Sequence, residues 1–401
     1  MSLQPIFRRR TQGVSLIELM ISMVIGLIIM LAVVQIFAAS RTASRLSEGL
    51  ARVQENSRFA MDSLQRELRM AGHFGCVNDQ SHSLQDPGTL YTTLNAGAHP
   101  ALDFARSIQG YEANNTGPGT AITIPATPAV GGTAYTPQLP KQIADAIPNR
   151  VNNSDIVALR YLMPDGVPVT LVEGSADKPA FNFENSRLDV LRSGVQNPGL
   201  FGVSDCISAT TFQARTVGGG KILFDDAPNN NASFTNLYTV GQAMLYRAES
   251  VVFYVGRDAD TGLTSLYRVR FSATPNGNLV AMDPEALVEG VENMQLLYGQ
   301  DRDIAGTLPT GFIDRQGTAN QLETDATGAN PAIPLSRAWR RVGAVQIGLL
   351  MSSPDPAGAE QADGDAAALT ALGVTYTAPD DRRMRAVYQS TVAIRNRLFG
   401  N

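Results

Sequence analysis

Residues that usually carry chemistry are scarce in this chain of 401 residues, which has three histidines, two cysteines and one tryptophan. His73, His82 and His99 fall at no spacing suited to a metal, and neither cysteine belongs to a Cys-x-x-Cys or His–Cys pattern. No Gly-x-Ser-x-Gly elbow is present. Gly218-Gly219-Gly220-Lys221 lacks the upstream glycine and following hydroxyl residue of a phosphate loop, so it reads as a hairpin turn. Asp258-x-Asp260-x-Gly262 lacks the bidentate glutamate that closes a calcium loop, and Asp301-Arg302-Asp303 reads as a solvated turn rather than an acid pair. The expectation is a protein that is not an enzyme and carries no cofactor or metal. A net charge of −5 argues against bulk affinity for nucleic acid.

Charge is also missing from one long stretch. Between Val14 and Ala39 the only ionisable residue is Glu18, and there is no proline. About 26 residues of helix rise roughly 39 Å, enough to cross a hydrocarbon core of about 30 Å. Arg8, Arg9 and Arg10 precede the run, so the positive-inside tendency keeps residues 1–13 in the cytoplasm and exports the chain beyond Ala39. A secretory signal has a shorter apolar core with its small-residue cleavage site behind it. Here the run is longer, and the small residue, Gly13, stands in front. Glu18 lies inside the apolar segment, where a charge is costly without a partner, which marks it as a functional residue.

The string Gln12-Gly13-Val14-Ser15-Leu16-Ile17-Glu18-Leu19 resembles the class III signal of type IV prepilins and pseudopilins. The resemblance implies that a membrane prepilin peptidase cuts between Gly13 and Val14 and methylates Val14. Glu18 becomes the fifth mature residue, and the apolar helix stays as the assembly core. Phenylalanine is the usual first mature residue in that family, and this chain has valine. Removing the three leader arginines takes the net charge from −5 to −8. A free amine on Val14 in lipid is itself a buried charge, so a neighbouring subunit's Glu18 can offset it when subunits pack side by side.

Past the lipid, Leu46, Leu50, Val53, Ala60, Leu64 and Leu68 recur at three- and four-residue steps with Ser57 in the gap, while Arg52, Glu55, Arg58, Asp62, Arg66 and Glu67 lie mostly off that stripe. This is an amphipathic helix that needs a partner for its apolar face. Without proline across residues 14–70, one helix of roughly 85 Å is expected, with Gly72 and Gly75 as stop signals. The expected division is a leader over 1–13, a membrane and assembly half over 14–39, an amphipathic half over 40–75, and a periplasmic body over 76–401. Cys76 and Cys206 are most simply a disulfide in an exported chain, the alternative being two buried thiols.

Residues 77–150 are poor in periodicity and rich in Asn, Thr, Gly, Ala and Pro, which reads as a long loop region with short strands. Strand patterns span 155–163, 206–217, 243–255, 263–271, 290–298 and 342–351, with polar inserts near 301–336 and 352–381. The last strand is the most regular: Ala386, Tyr388, Val392, Ile394 and Leu398 alternate with Arg383, Arg385, Gln389, Thr391, Arg395 and Arg397. Ser390 and Asn396 interrupt the apolar set. Period two with one wet face means an antiparallel sheet covered on one side. The arginines there read as that wet face, with contact to DNA or an acidic partner as the weaker alternative.

The fold class is therefore α+β and pilin-like: a long N-terminal helix, half transmembrane and half amphipathic, on an antiparallel sheet with long insertions. The segments Ser204-Asp205-Cys206…Phe212-Gln213, Leu287–Leu296 and Arg341…Leu350 resemble minor pilins of the PilW family. That resemblance implies a non-catalytic subunit anchored in the bacterial inner membrane and then incorporated in a pilus. Its implied partners are other minor pilins, the major pilin, the prepilin peptidase, the inner-membrane assembly machinery and membrane lipid. It also implies a complex that primes the pilus and sits at its tip, with Glu18 placing this subunit below the extreme tip. The rival readings are a pseudopilin of type II secretion and a membrane-tethered periplasmic binding protein or enzyme.

Overall fold

The computed structural model describes residues 13–78, 89–301, 312–357 and 369–394. The leader through Gln12, His82, Arg302, Asp303, Arg395, Asn396, Arg397 and Leu398 lie outside the described residues, as do parts of the two polar inserts.

One helix, α1 (Leu16–Met70), dominates the N-terminal end and runs unbroken for 55 residues. It stops where Gly72 and Gly75 take φ values of +74° and +75°, a conformation that other residues rarely adopt. The chain then enters a large sheet that includes β1 (Ile108–Ala113), β2 (Ile156–Leu162), β3 (Leu200–Ser204), β4 (Ala209–Gln213), β5 (Met244–Arg257), β6 (Thr264–Ser272) and β7 (Glu285–Glu289). The long β5 organises it. Its first residues pair with β3, and its Ser250–Phe253 stretch has β2 on one edge and β6 on the other. A second sheet contains β8 (Val291–Gln300), β9 (Val342–Pro356) and β10 (Arg383–Ala393), with β9 in the middle. All these ladders are antiparallel. The short pair 90–92 with 209–211 is parallel and makes the large sheet mixed; another parallel pair, 121–123 with 375–377, lies in a separate three-stranded sheet.

The lower half of α1 lies against the second sheet. Val53, Ala60, Leu64 and Leu68 share one core with Val345, Ile347 and Leu349 of β9 and Val392 of β10. That core continues to Val157 and Leu159 of β2, so the helix and both sheets close around it. Ser390, the polar interruption of the last strand, accepts a hydrogen bond from Gln65 Nε2 of α1 at 2.9 Å. A separate aromatic core gathers Phe181, Phe201, Phe212, Phe224 and Phe234 around β3 and β4.

The structure differs from the sequence reading in five places. The stripe on α1 is covered only from Gly49 on; Leu46 and Leu50 remain partly exposed. The 206–217 strand is instead the turn and second arm of a hairpin, because Asp205 Oδ1 accepts from the N–H groups of Ile207 and Ser208 and folds the chain there. Within 77–150, β1 is a fully buried inner strand paired with β2. The 301–336 insert holds a helix, α2 (Ala319–Gly328), capped by Thr318.

The fifth difference concerns the expected wet face of β10. In the 352–381 insert, Leu369–Ala371 and Val374–Thr377 form a hairpin that lays Ala371, Val374 and Tyr376 over Leu350 of β9 and Val387 of β10. Arg385 on that face is only 5% exposed. It grips Glu292 through Nε at 2.7 Å and Nη2 at 2.9 Å, and Asp381 at 2.7 Å. Part of the second face is therefore a buried layer.

Candidate assembly helix and its attachment

Helix α1 begins two residues after Val14. Ser15 caps it: its hydroxyl oxygen accepts from the Ile17 N–H at 3.2 Å. In return Glu18 Oε2 accepts from the Ser15 N–H at 3.0 Å. This reciprocal cap satisfies donors that a helix start leaves open. It aims the Glu18 carboxylate back toward the residue that follows Val14. Ser-x-x-Glu is itself a capping pattern, and it is the signal by which Ser15 could have been found. A reading of Glu18 through contacts between subunits alone passes over it.

Above the cap the helix carries large apolar side chains on every face. From Val14 to Phe37 they are 50–77% exposed. Polar side chains within this part turn inward on their own backbone, Ser22 Oγ donating to Glu18 O at 2.6 Å and Thr42 Oγ1 to Ala38 O at 3.1 Å. The described residues contain one helix long and apolar enough to span a membrane, with a mean hydropathy of 2.7 over its most apolar window. It is a single-span membrane anchor. Where the apolar run ends, the Arg41 guanidinium lies 5.7 Å from the centre of the Phe37 ring.

At the other end, attachment to the body is dense. Gly49 lets Ala357 approach so closely that an added Cβ would meet the alanine Cβ at 2.8 Å. Glu67, expected off the apolar stripe, is instead mostly buried: it accepts from the Tyr161 hydroxyl and from Arg268 Nη1 at 3.2 Å. Burial and the adjacent Glu67 raise the Tyr161 pKa. Beyond the helix, Cys76 and Cys206 form a disulfide across a sequence separation of 130, joining the end of α1 to the turn between β3 and β4. Gly13, Val14 and Glu18 stay together at the opposite end, roughly 80 Å away along the helix.

Asp155 is not singled out by the sequence. Its two carboxylate oxygens accept from the Ala113 N–H of β1 and the Leu296 N–H of β8, each at 2.9 Å, so one side chain clips the two sheets together. Burial pushes its pKa up to about 8 against the opposing effect of those two donors. Its position at the start of a strand pattern gives no signal for this. Of the other sequence candidates, Asp258 Oδ1 accepts from the N–H groups of Asp260 and Thr261 and closes its own turn. Gly218 and Lys221 pair across the expected hairpin. His73 Nδ1 lies 2.7 Å from Leu162 O. His99 caps a short 3-10 turn.

Two family models match the chain. The model described as "Type IV Pilus-assembly protein W" matches residues 252–396. That interval runs from the middle of β5 through the whole second sheet and so contains most of the surface on which α1 rests. The model described as "Prokaryotic N-terminal methylation motif" matches residues 8–34, the start of the exposed apolar half. Neither a curated protein nor a solved structure matches the chain.

Proposed function

We propose that this chain, which matches the PilW and N-terminal methylation family models, is a minor pilin that helps to initiate a type IV pilus and enters the filament. In this reading a prepilin peptidase removes residues 1–13, and Val14 becomes the methylated first residue. Residues 14–39 then anchor the chain in the inner membrane with residues 76–401 in the periplasm. The partners are other minor pilins, the major pilin and the inner-membrane assembly machinery, within a priming complex where this subunit lies below the extreme tip.

The observation that carries the reading is the unmatched apolar surface on the upper half of α1. It continues into a lower half whose buried stripe, from Gly49 to Leu68, rests on the body. Such a surface needs lipid first and neighbouring helices afterwards, and an assembly subunit meets both. Glu18 and the new Val14 amine are each costly in lipid alone and offset each other across a subunit contact.

The test is mass spectrometry of the N-terminus, with immunoblots of membrane and sheared-filament fractions from wild type and Glu18→Ala. A methylated Val14 start is expected, with a mutant that is processed and present in membranes but depleted from filaments. A chain that retains Met1, or equal incorporation of the mutant, overturns the reading. A simple tether would instead tolerate or benefit from Glu18→Ala.

A further inference from the structure

The end of the apolar run and the first arginines beyond it share one stripe of α1. Met30, Val34, Phe37, Arg41 and Arg45 follow one another at three- and four-residue steps, so they line one side of the helix. Met30, Val34 and Phe37 are 61–69% exposed, and both arginines are exposed as well. The body first buries the helix at Gly49, so the stripe stands clear of it.

The two arginines are uncompensated. Arg41 lies against the Phe37 ring, and among the described residues neither Arg41 nor Arg45 forms an ion pair or a hydrogen bond. Glu48, the acid nearest to them in sequence, accepts from Ser44 Oγ at 3.3 Å instead. Asp355 of the body pairs with Arg52, further down the helix.

Their depth follows from the span. The helix rises roughly 35 Å from Leu16 to Ala39, against a hydrocarbon core of about 30 Å. Its apolar end therefore reaches the headgroups, and Arg41 and Arg45 stand roughly 3 and 9 Å beyond Ala39. Two guanidiniums one turn apart offer converging forks to a phosphate at that level. An acyl chain attached to the same phosphate has roughly 16 Å of exposed apolar stripe to lie on, from Arg41 back to Met30.

We propose that this stripe binds one phospholipid with a net negative headgroup, in the leaflet on the body's side of the membrane. The phosphate sits between Arg41 and Arg45, and an acyl chain runs along Phe37, Val34 and Met30. A zwitterionic headgroup brings its own cation, which the two arginines repel, so an anionic headgroup is preferred. The site depends on α1 as a membrane anchor and not on a role in a pilus.

Full-length protein in non-ionic detergent is titrated with phosphatidylglycerol and with phosphatidylcholine of the same acyl chains, and bound lipid is measured by native mass spectrometry. Each arginine at an anionic headgroup is worth about fivefold, so phosphatidylglycerol should bind at least tenfold more tightly. Arg41→Gln or Arg45→Gln alone should cut that preference about fivefold, and the two together should abolish it. Arg58→Gln, which removes the same charge from an exposed position in the lower half, should preserve it. Phe37→Ser should weaken both lipids. A large excess of inorganic phosphate, which has no acyl chain, should not displace the lipid. Equal affinity for the two lipids, a preference that survives the double substitution, unchanged binding by Phe37→Ser, or displacement by phosphate each overturns the assignment.

Discussion

The two halves of α1 are one helix with opposite surroundings. At Gly26, in the upper half, an added Cβ would meet nothing within 4 Å; at Gly49 it would collide with Ala357. The same contrast holds for carboxylates. Glu18 in the upper half has a single backbone donor from its own first turn, while Asp155 in the body has two donors from different sheets. The lower half is finished by folding. The upper half is finished only by what lies outside the chain, so substitutions there should alter assembly and leave the stability of the body unchanged.

The disulfide gives the largest expected effect. Closing about 130 residues contributes roughly 5 kcal/mol in the chain-entropy model, with 2–4 kcal/mol typical. Cys206→Ser should therefore lower the thermal midpoint of the body by several degrees or more, read by circular dichroism with and without reductant. Next comes the pair Leu64→Ala and Leu27→Ala. Leu64 is fully buried, and its truncation should cost about 2–5 kcal/mol. Leu27, an exposed side chain of the upper half, should change the body by less than about 0.5 kcal/mol in detergent. Equal losses would erase the contrast between the halves.

A finer comparison uses the two glycines. Gly49→Val should cost about 1–3 kcal/mol by overpacking against Ala357, and Gly26→Val should leave the melting of the body unaltered. The remaining comparison is one of pH. Because the folded-state pKa of Asp155 is raised to about 8, above an unfolded value near 4, the native state holds this proton more tightly. The stability it confers is fully present below about pH 4 and is lost as pH rises toward about 8. Asp155→Asn should flatten that dependence in denaturant titrations between pH 5 and 9; an unchanged slope would remove Asp155 as its source.

Much of this was legible because the relevant residues obey one period. The apolar span, the stripe from Val53 to Leu68 and the alternation in β9 and β10 each follow from which side faces a neighbour. What escaped was set by contacts distant in sequence. In β1, Gln109, Gly110 and Glu112 break any apolar pattern, yet Gly110 is required because the Tyr298 ring lies where its Cβ would be. Arg385 reads as solvent-facing until Glu292 and Asp381 are brought to it. Of the site residues, the cysteine pairing and the Glu18 position were visible. Asp155 and the engagement of Glu67 needed two sheets to be placed before their partners existed.

The link between Cys76 and Cys206 also determines how the body would respond to being pulled. Tension applied along α1 and resisted anywhere beyond residue 206 leaves the backbone at Cys76 and re-enters it at Cys206. The residues between, with β1, β2 and β3 among them, form a closed loop outside that covalent path. Some 130 residues, roughly 440 Å of extended chain at about 3.4 Å per residue, are withheld from any stretch of the protein. Reduction would return that length to the covalent force path.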